Sequence, residues 1–304
     1  MAFTAADVKN LREMTGVGMM DCKKALAASD GDIDKAIEFL REKGLAASAK
    51  KAGRIAAEGM AYAGVIDGMG VVVEVNAETD FVGKNEKFVD FVKGVAATVA
   101  ANKPADLDAL MACKYAGSDR TVTEQQQEMV LVIGENIKVR RFAFFTDGVS
   151  VPYIHAGGKI GVLVNLEVSG GIDATEIGKD VAMQIAALNP RFWDKSQVTQ
   201  DVLDEEKKIM MVQMANDPKM ASKPEQVREK IVVGKLNKFY AENCLLQQEF
   251  VKDNSMSVEK YIASAAKALG GTVTFKDAVR FEKGEGIEKK QEDFAAEIAS
   301  MVKG

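Results

Sequence analysis

Asn76 to Asn85 follow the apolar run Val71 to Val75 and set an acid, Asp80, beside a large aromatic, Phe81. A strand of that kind stops at Asn76, and the next helical pattern starts only at about Glu86. These residues therefore fall on a strand-to-helix connection, and connections run over the surface. An aromatic at a loop tip offers contact chemistry, a wedge of apolar area for a pocket on another molecule.

Groups that would support reaction chemistry are few. His155 is the single histidine, which excludes multi-His metal sites and His-rich catalytic clusters. Gly157-Gly158-Lys159 is followed by Ile160 and lacks the earlier glycine of a phosphate-binding loop. Gly16 and Gly18 lack both a third glycine and a preceding strand, so they are no dinucleotide fingerprint. There is no C-x-x-C, no G-x-S-x-G and no calcium-loop pattern. Cys22, Cys113 and Cys244 are odd in number and far apart, which indicates no disulfide framework and fits a reducing cytoplasm. We expect no catalytic residue, no bound metal and no cofactor, in a protein that works by contact.

Composition bounds the rest. A length of 304 residues allows two or three domains with a substantial core. Hydrophobic and charged shares of 47% and 28% are those of an ordinary soluble globular protein. The net charge of −5 disfavours broad electrostatic binding to nucleic acid. The local clusters Lys50, Lys51, Arg54 and Lys138, Arg140, Arg141 read as solvated charged faces. No apolar run approaches the ~20 residues of a membrane span, and Met1 to Asn10 holds no signal-peptide pattern. The expected location is cytoplasmic, with no membrane contact.

The elements that must position the loop follow from periodicity, and they give an α+β fold. Residues 1–45 read as a three-helix domain: Thr4 and Asp7 start the first helix, Gly16-Val17-Gly18 breaks it, Met19 to Ala28 forms the second, and Asp32 caps a third that ends at Gly44. Residues 46–55 form an Ala/Lys-rich linker. In residues 56–146, Met60 to Ile66 and Val71 to Val75 form a hairpin through the turn Asp67-Gly68-Met69-Gly70. A helix striped by Phe88, Phe91, Val92, Val95 and Val99 follows it. Another helix, Val122 to Gly134, leads into the strand Ile137 to Phe145.

A second core subdomain takes residues 147–198 and 242–282. It holds strands at Val149 to Ile154 and Ile160 to Val168, a helix to Leu188 started by Asp173 and Glu176, then a final helix and strand. Residues 199–241 interrupt it as an antiparallel helical hairpin whose seam is the Ile209–Met214 stripe. Residues 283–304 form a C-terminal module with an amphipathic helix from Ile287 to Val302.

The two core halves repeat weakly. Gly70-Val71-Val72-Val73 parallels Gly161-Val162-Leu163-Val164, but Gly70 to Pro104 covers 34 positions and Gly161 to Pro190 covers 29. The five extra residues are expected in the connection that holds Thr79 to Gly83.

Leu11-Arg12-Glu13-Met14-Thr15-Gly16-Val17-Gly18-Met19-Met20-Asp21-Cys22-Lys23-Lys24-Ala25-Leu26 closely resembles the N-terminal motif of the bacterial elongation factor Ts family. Glu74 to Val82, Ile133-Gly134-Glu135-Asn136-Ile137, Tyr153 with His155, Gly161 to Val164, and Arg280 to Lys289 match in order along the whole chain.

The resemblance implies a guanine-nucleotide exchange factor for the GTPase elongation factor Tu, in its GDP-bound and nucleotide-free states. It also implies a ubiquitin-associated-like N-terminal domain that grips the partner, duplicated core subdomains, and a hairpin that mediates self-association in some members. The wedge, Thr79, Asp80, Phe81 and Val82, is then the element that dislodges the partner's Mg²⁺. Arg12, Met19, Met20, Ile133 and His155 become partner contacts.

From the residues alone, Thr79 and Asp80 read as helix N-caps, and Phe81 either folds onto the core or points outward. His155 reads as an exposed or hydrogen-bonded structural histidine and Ile133 as core. Adjacent Met19 and Met20 cannot both face one core. Two other function classes stand beside exchange. A ubiquitin-associated-like adaptor with a coiled-coil arm would need the N-terminal domain and not Phe81. An enzyme built on carboxylates and His155 lacks every supporting motif.

Overall fold

A computed structural model describes residues 3–288, and the amphipathic helix expected to reach Val302 lies outside the described residues. The chain divides into two compact units. Of the described residues, one takes in those through Phe144, Ile154–Gly161 and Phe281–Glu288; the other comprises Phe145–Tyr153 and Val162–Arg280. Both mix helices with small sheets, so the fold is α+β. Among the described residues, no helix is long and apolar enough to cross a membrane.

The first unit begins with α1 (Ala5–Thr15), α2 (Met19–Ala28) and α3 (Ile33–Lys51). Thr4 and Asp7 form a reciprocal capping box, and Gly16 ends α1 in the left-handed conformation. Val8, Leu11, Cys22, Leu26, Ala36 and Leu40 close a small core. Helix α3 does not stop at Gly44, as the sequence suggests, but runs seven residues further. Gly44 is buried there because a later helix crosses it: a Cβ would lie 3.4 Å from the Gln127 carbonyl oxygen. The glycine marks a close helix crossing, and most of the expected linker is helix.

Strands β1 (Glu58–Ile66) and β2 (Met69–Ala77) form an antiparallel hairpin in which Ile66 faces Met69. The turn is only Asp67-Gly68, both with positive φ, so it is tighter than the four-residue turn expected. Helices α4 (Glu86–Asn102), α5 (Leu107–Ala112) and α6 (Val122–Ile133) follow, and β3 (Lys138–Phe145) joins the sheet in the order β1-β2-β3. The short α5 had no periodic signal long enough to read. Val71, Val73 and Val75 on one face of β2 pack with Phe88, Phe91, Val92, Val95 and Val99 of α4.

The other face of β2 is buried too, and it carries a charge. Glu74 is fully buried; its carboxylate accepts from Arg140, Arg141, Asn76 and the Gly284 N–H. Burial alone would raise this carboxyl's pKa, yet the Gly284 N–H and the two guanidinium groups hold it below the usual range. Arg141 also stacks on Phe281, its guanidinium carbon 4.3 Å from the ring centroid. Arg140 and Arg141 are therefore partners of a buried acid rather than part of a solvated face.

A second sheet has the order β4-β5-β8, from β4 (Val149–His155), β5 (Ile160–Ser169) and β8 (Thr272–Glu282), of which Val149–Tyr153, Val162–Ser169 and Thr272–Arg280 belong to the second unit. Helix α7 (Thr175–Leu188) packs close on Val151 through Gly178. Ala174 occupies its N-cap without a side-chain bond, and Asp173, the expected cap, instead accepts from the Thr175 N–H. Helices α8 (Gln200–Asn216), α9 (Pro218–Ala221) and α10 (Glu225–Asn243) make the hairpin. Met214, Val232 and Phe239 are buried in it, whereas Ile209 is exposed, so the seam uses only part of the expected stripe. Strands β6 (Glu249–Phe250) and β7 (Asp253–Ser257) and helix α11 (Val258–Ala268) complete this unit.

The repeat can now be measured. The connection after β2 is residues 78–85, that after β5 is residues 170–174, and α4 has 17 residues against 14 in α7. Only three of the extra residues lie in the connection. Helix α4 takes another three, and β5 recovers one.

Candidate functional site

The site is built on the eight-residue connection between β2 and α4. Its first half is held by the residues that follow α6. Gly134 terminates α6 in the left-handed conformation and turns Glu135 away from the helix axis. One Glu135 carboxylate oxygen accepts from the Glu78 and Thr79 N–H groups, both at 3.0 Å. The other accepts from the Thr79 hydroxyl at 2.7 Å. In return the Glu78 carboxylate accepts from the Asn136 N–H at 2.6 Å and pairs with Arg54 at 3.4 Å. The Asn136 side chain donates to the Arg54 carbonyl, which secures the end of the helical linker as well. Lys51 lies in the field of Glu78 and Glu135, but partial burial and the Arg54 charge lower its pKa overall.

The second half is held by packing. Val82 is buried in the β2/α4 core and starts a 3-10 turn, Val82–Lys84. Gly83 touches β1 so closely that a Cβ would lie 2.7 Å from the Gly59 carbonyl oxygen. Asn85 then caps α4, its side-chain oxygen accepting from the Lys87 and Phe88 N–H groups. Thr79 and Asp80 are thus not the caps that their residue types suggested. The connection is long enough for Asn85, adjacent to the first helical turn, to take that role.

Between these two anchors Phe81 points outward. Its backbone is in the ordinary right-handed region (φ −61°, ψ −41°) and its side chain is 79% exposed, the most exposed large hydrophobic of the described residues. Asp80 is exposed beside it, with only a 3.6 Å pairing to Lys84. A surface pair of that kind contributes little, so the carboxylate is free to exchange partners.

Other residues singled out from the sequence converge on the same unit. Lys87, in the first turn of α4, donates to the Gly16 carbonyl at 3.4 Å. The turn that leads into α2 is thereby brought to the loop's C-terminal end. Met19 and Met20, at 50% and 64% exposed, open that helix, and Arg12 is exposed on α1. His155 is exposed at the end of β4, beside a turn held to β1 by the Ala61 N–H, which donates to the Gly158 carbonyl at 2.8 Å. Gly59, against which Gly83 rests, lies two residues away on that strand. Ile133 differs from the rest: it is half-buried and packs toward the core.

Sequence reasoning missed Glu78, Glu135, Asn136 and Asn85. The Ile133-Gly134-Glu135-Asn136-Ile137 motif was a signal, a helix-ending glycine followed by an acid and an amide. Its target, more than fifty residues away, had no local trace. Among the described residues, no group of three or more His, Cys, Asp and Glu could hold a metal ion.

The family model described as Elongation factor TS matches residues 78–285, from the start of the loop to the turn whose Gly284 N–H meets Glu74. Over the full chain, this protein is 49% identical to an elongation factor Ts of Syntrophotalea carbinolica, with 100% of both chains covered. It is 48% identical to that of Trichlorobacter lovleyi and 47% to that of Clostridium kluyveri, with 99% of each chain covered in both cases. An exposed aromatic held between two anchors, a match that includes it and full-length similarity all agree: the chain belongs to the elongation factor Ts family.

Proposed function

We propose that this chain, an exchange factor for elongation factor Tu in translation elongation, promotes GDP release by inserting Asp80 and Phe81 beside the partner's Mg²⁺ and phosphate site. The observation that carries this reading is the outward ring of Phe81 on a loop held firmly at both ends. Thr79 and Val82 belong to the wedge as its two fixed ends.

Mg²⁺ and phosphate-binding amides contribute strongly to nucleotide affinity. A ring that packs into the GTPase only when that site is distorted opposes GDP by the difference in its contacts between the two states. Burial of Phe81 supplies about 2–3 kcal/mol, and each tenfold loss of GDP affinity requires about 1.4 kcal/mol. One ring therefore accounts for roughly two orders of magnitude at most. The remainder comes from grip. The three-helix domain, read as ubiquitin-associated-like, offers Arg12, Met19 and Met20, and the end of β4 offers His155. Ile133 supports from within, keeping the Glu135 segment in place.

The test is release of a fluorescent GDP from elongation factor Tu. The parent speeds release many-fold, and Phe81→Ala reduces the rate at saturating factor by about thirty- to a hundredfold, the equivalent of the ring's burial. Parent-like release by Phe81→Ala would sink the wedge. A chain that binds the partner without accelerating release would point to the adaptor reading.

A further inference from the structure

Phe81 makes little use of its own burial to stay in place, since its ring is mostly in solvent. Its position is inherited from Thr79 on one side and Val82 on the other. Val82 is held by ordinary core packing. Thr79 is held by a carboxylate from a distant part of the chain. We infer that Glu135 is a positioning residue for the Phe81 wedge, holding the loop in its inserting conformation before the partner arrives. This rests on the wedge reading above.

The geometry is specific. A carboxylate offers about four lone-pair directions; Glu135 directs three bonds onto two consecutive loop residues, one to each N–H and one to the Thr79 hydroxyl. Bonds to an ionised acceptor are stronger than neutral ones. The return bond from the Asn136 N–H to Glu78 makes the connection reciprocal, so the end of α6 and the start of the loop are tied at two adjacent residues each. Such a tie removes backbone freedom in the free protein that would otherwise be lost on binding. Glu135 acts through Thr79 and need not touch the partner.

A double-mutant cycle tests this on the full-length chain, with release of fluorescent GDP from elongation factor Tu at saturating factor as the readout. Glu135→Ala is expected to slow release by about tenfold, equivalent to about 1.4 kcal/mol. In the Phe81→Ala background, the same change is expected to add nothing, because no ring remains to position. Glu135→Gln, which keeps the shape and one acceptor oxygen, falls between parent and alanine.

Amide exchange supplies a readout in the free protein. The Glu78 and Thr79 N–H groups should lose protection in Glu135→Ala while the core amides of α4 keep theirs. Parent-like release by Glu135→Ala would overturn the inference, as would slowing that multiplies in the double variant or a loss of protection throughout the unit. If Phe81→Ala alone releases GDP like the parent, the wedge reading falls and takes the positioning role with it. Slowing by Phe81→Ala but not by Glu135→Ala sinks only the positioning role.

Discussion

Single residues separate into those whose work is local and those whose work depends on a distant partner. Asn85 belongs to the first kind, a cap whose bonds reach two and three residues ahead. Glu74 belongs to the second. It interrupts the apolar run of β2 and is tolerated because two guanidinium groups and a backbone N–H converge on it. Its carboxyl pKa is depressed in the folded state, so its stabilising contribution is present above its unfolded value near 4.5 and is lost as pH falls through the folded value. Urea unfolding from pH 6 to pH 3 should show parent stability falling steeply below about 4.5. Glu74→Gln should fall less steeply there. At pH 7 Glu74→Gln should cost about 2–4 kcal/mol, because Arg140 and Arg141 lose their common partner. An unchanged acid slope would remove Glu74 from the account.

At the scale of elements, glycines show how far pattern reading reaches. A glycine in a helical or loop pattern signals a break, a turn or a close approach, and the sequence alone does not say which. Gly16 and Gly134 do end their helices. Gly44 does not, because α6 needs the space. Gly83 brings the loop's 3-10 turn against β1, whereas Gly234 in α10 has nothing within 4 Å of its added Cβ. Alanine should therefore have opposite effects at the two sites. Gly83→Ala is expected to destabilise by about 1–3 kcal/mol through overlap with the Gly59 backbone, and to slow GDP release by moving the wedge. Gly234→Ala should stabilise α10 by up to about 1 kcal/mol. Thermal melts of both variants decide the signs.

For the molecule as a whole, the proposed division between wedge and grip makes a thermodynamic prediction. Contacts made equally to GDP-bound and nucleotide-free partner strengthen binding without driving release; only differential contacts couple the two ligands. Met20→Ala should therefore weaken binding to both partner states by a similar factor, about fivefold for a truncated interface side chain. The antagonism with GDP should remain intact. Phe81→Ala should shrink the antagonism itself, so that GDP weakens factor binding less than it does for the parent. Calorimetric titration of each variant against elongation factor Tu with and without GDP separates the two patterns. A Met20 variant that altered the coupling would merge grip with wedge.

The hairpin, the long helices and the strand-to-helix placement of Phe81 were legible in the residues because they depend on short-range periodicity and on turn chemistry at Asp67-Gly68, Gly16 and Gly134. The family was legible because long motifs recur in order. Which way Phe81 faces was not legible, since a ring beside a core strand satisfies either arrangement and the choice depends on what else fills the core. Val82 fills it here, and the ring is left outside. Nor could spacing show that Glu135 would close on Thr79, or that Arg140 and Arg141 would meet Glu74, across 56, 66 and 67 residues of chain. Local sequence determined the elements and the loop between them. Tertiary structure alone decided how that loop is held, because hydrogen bonds and buried charges are completed by whichever distant groups the packed fold brings within about 3 Å.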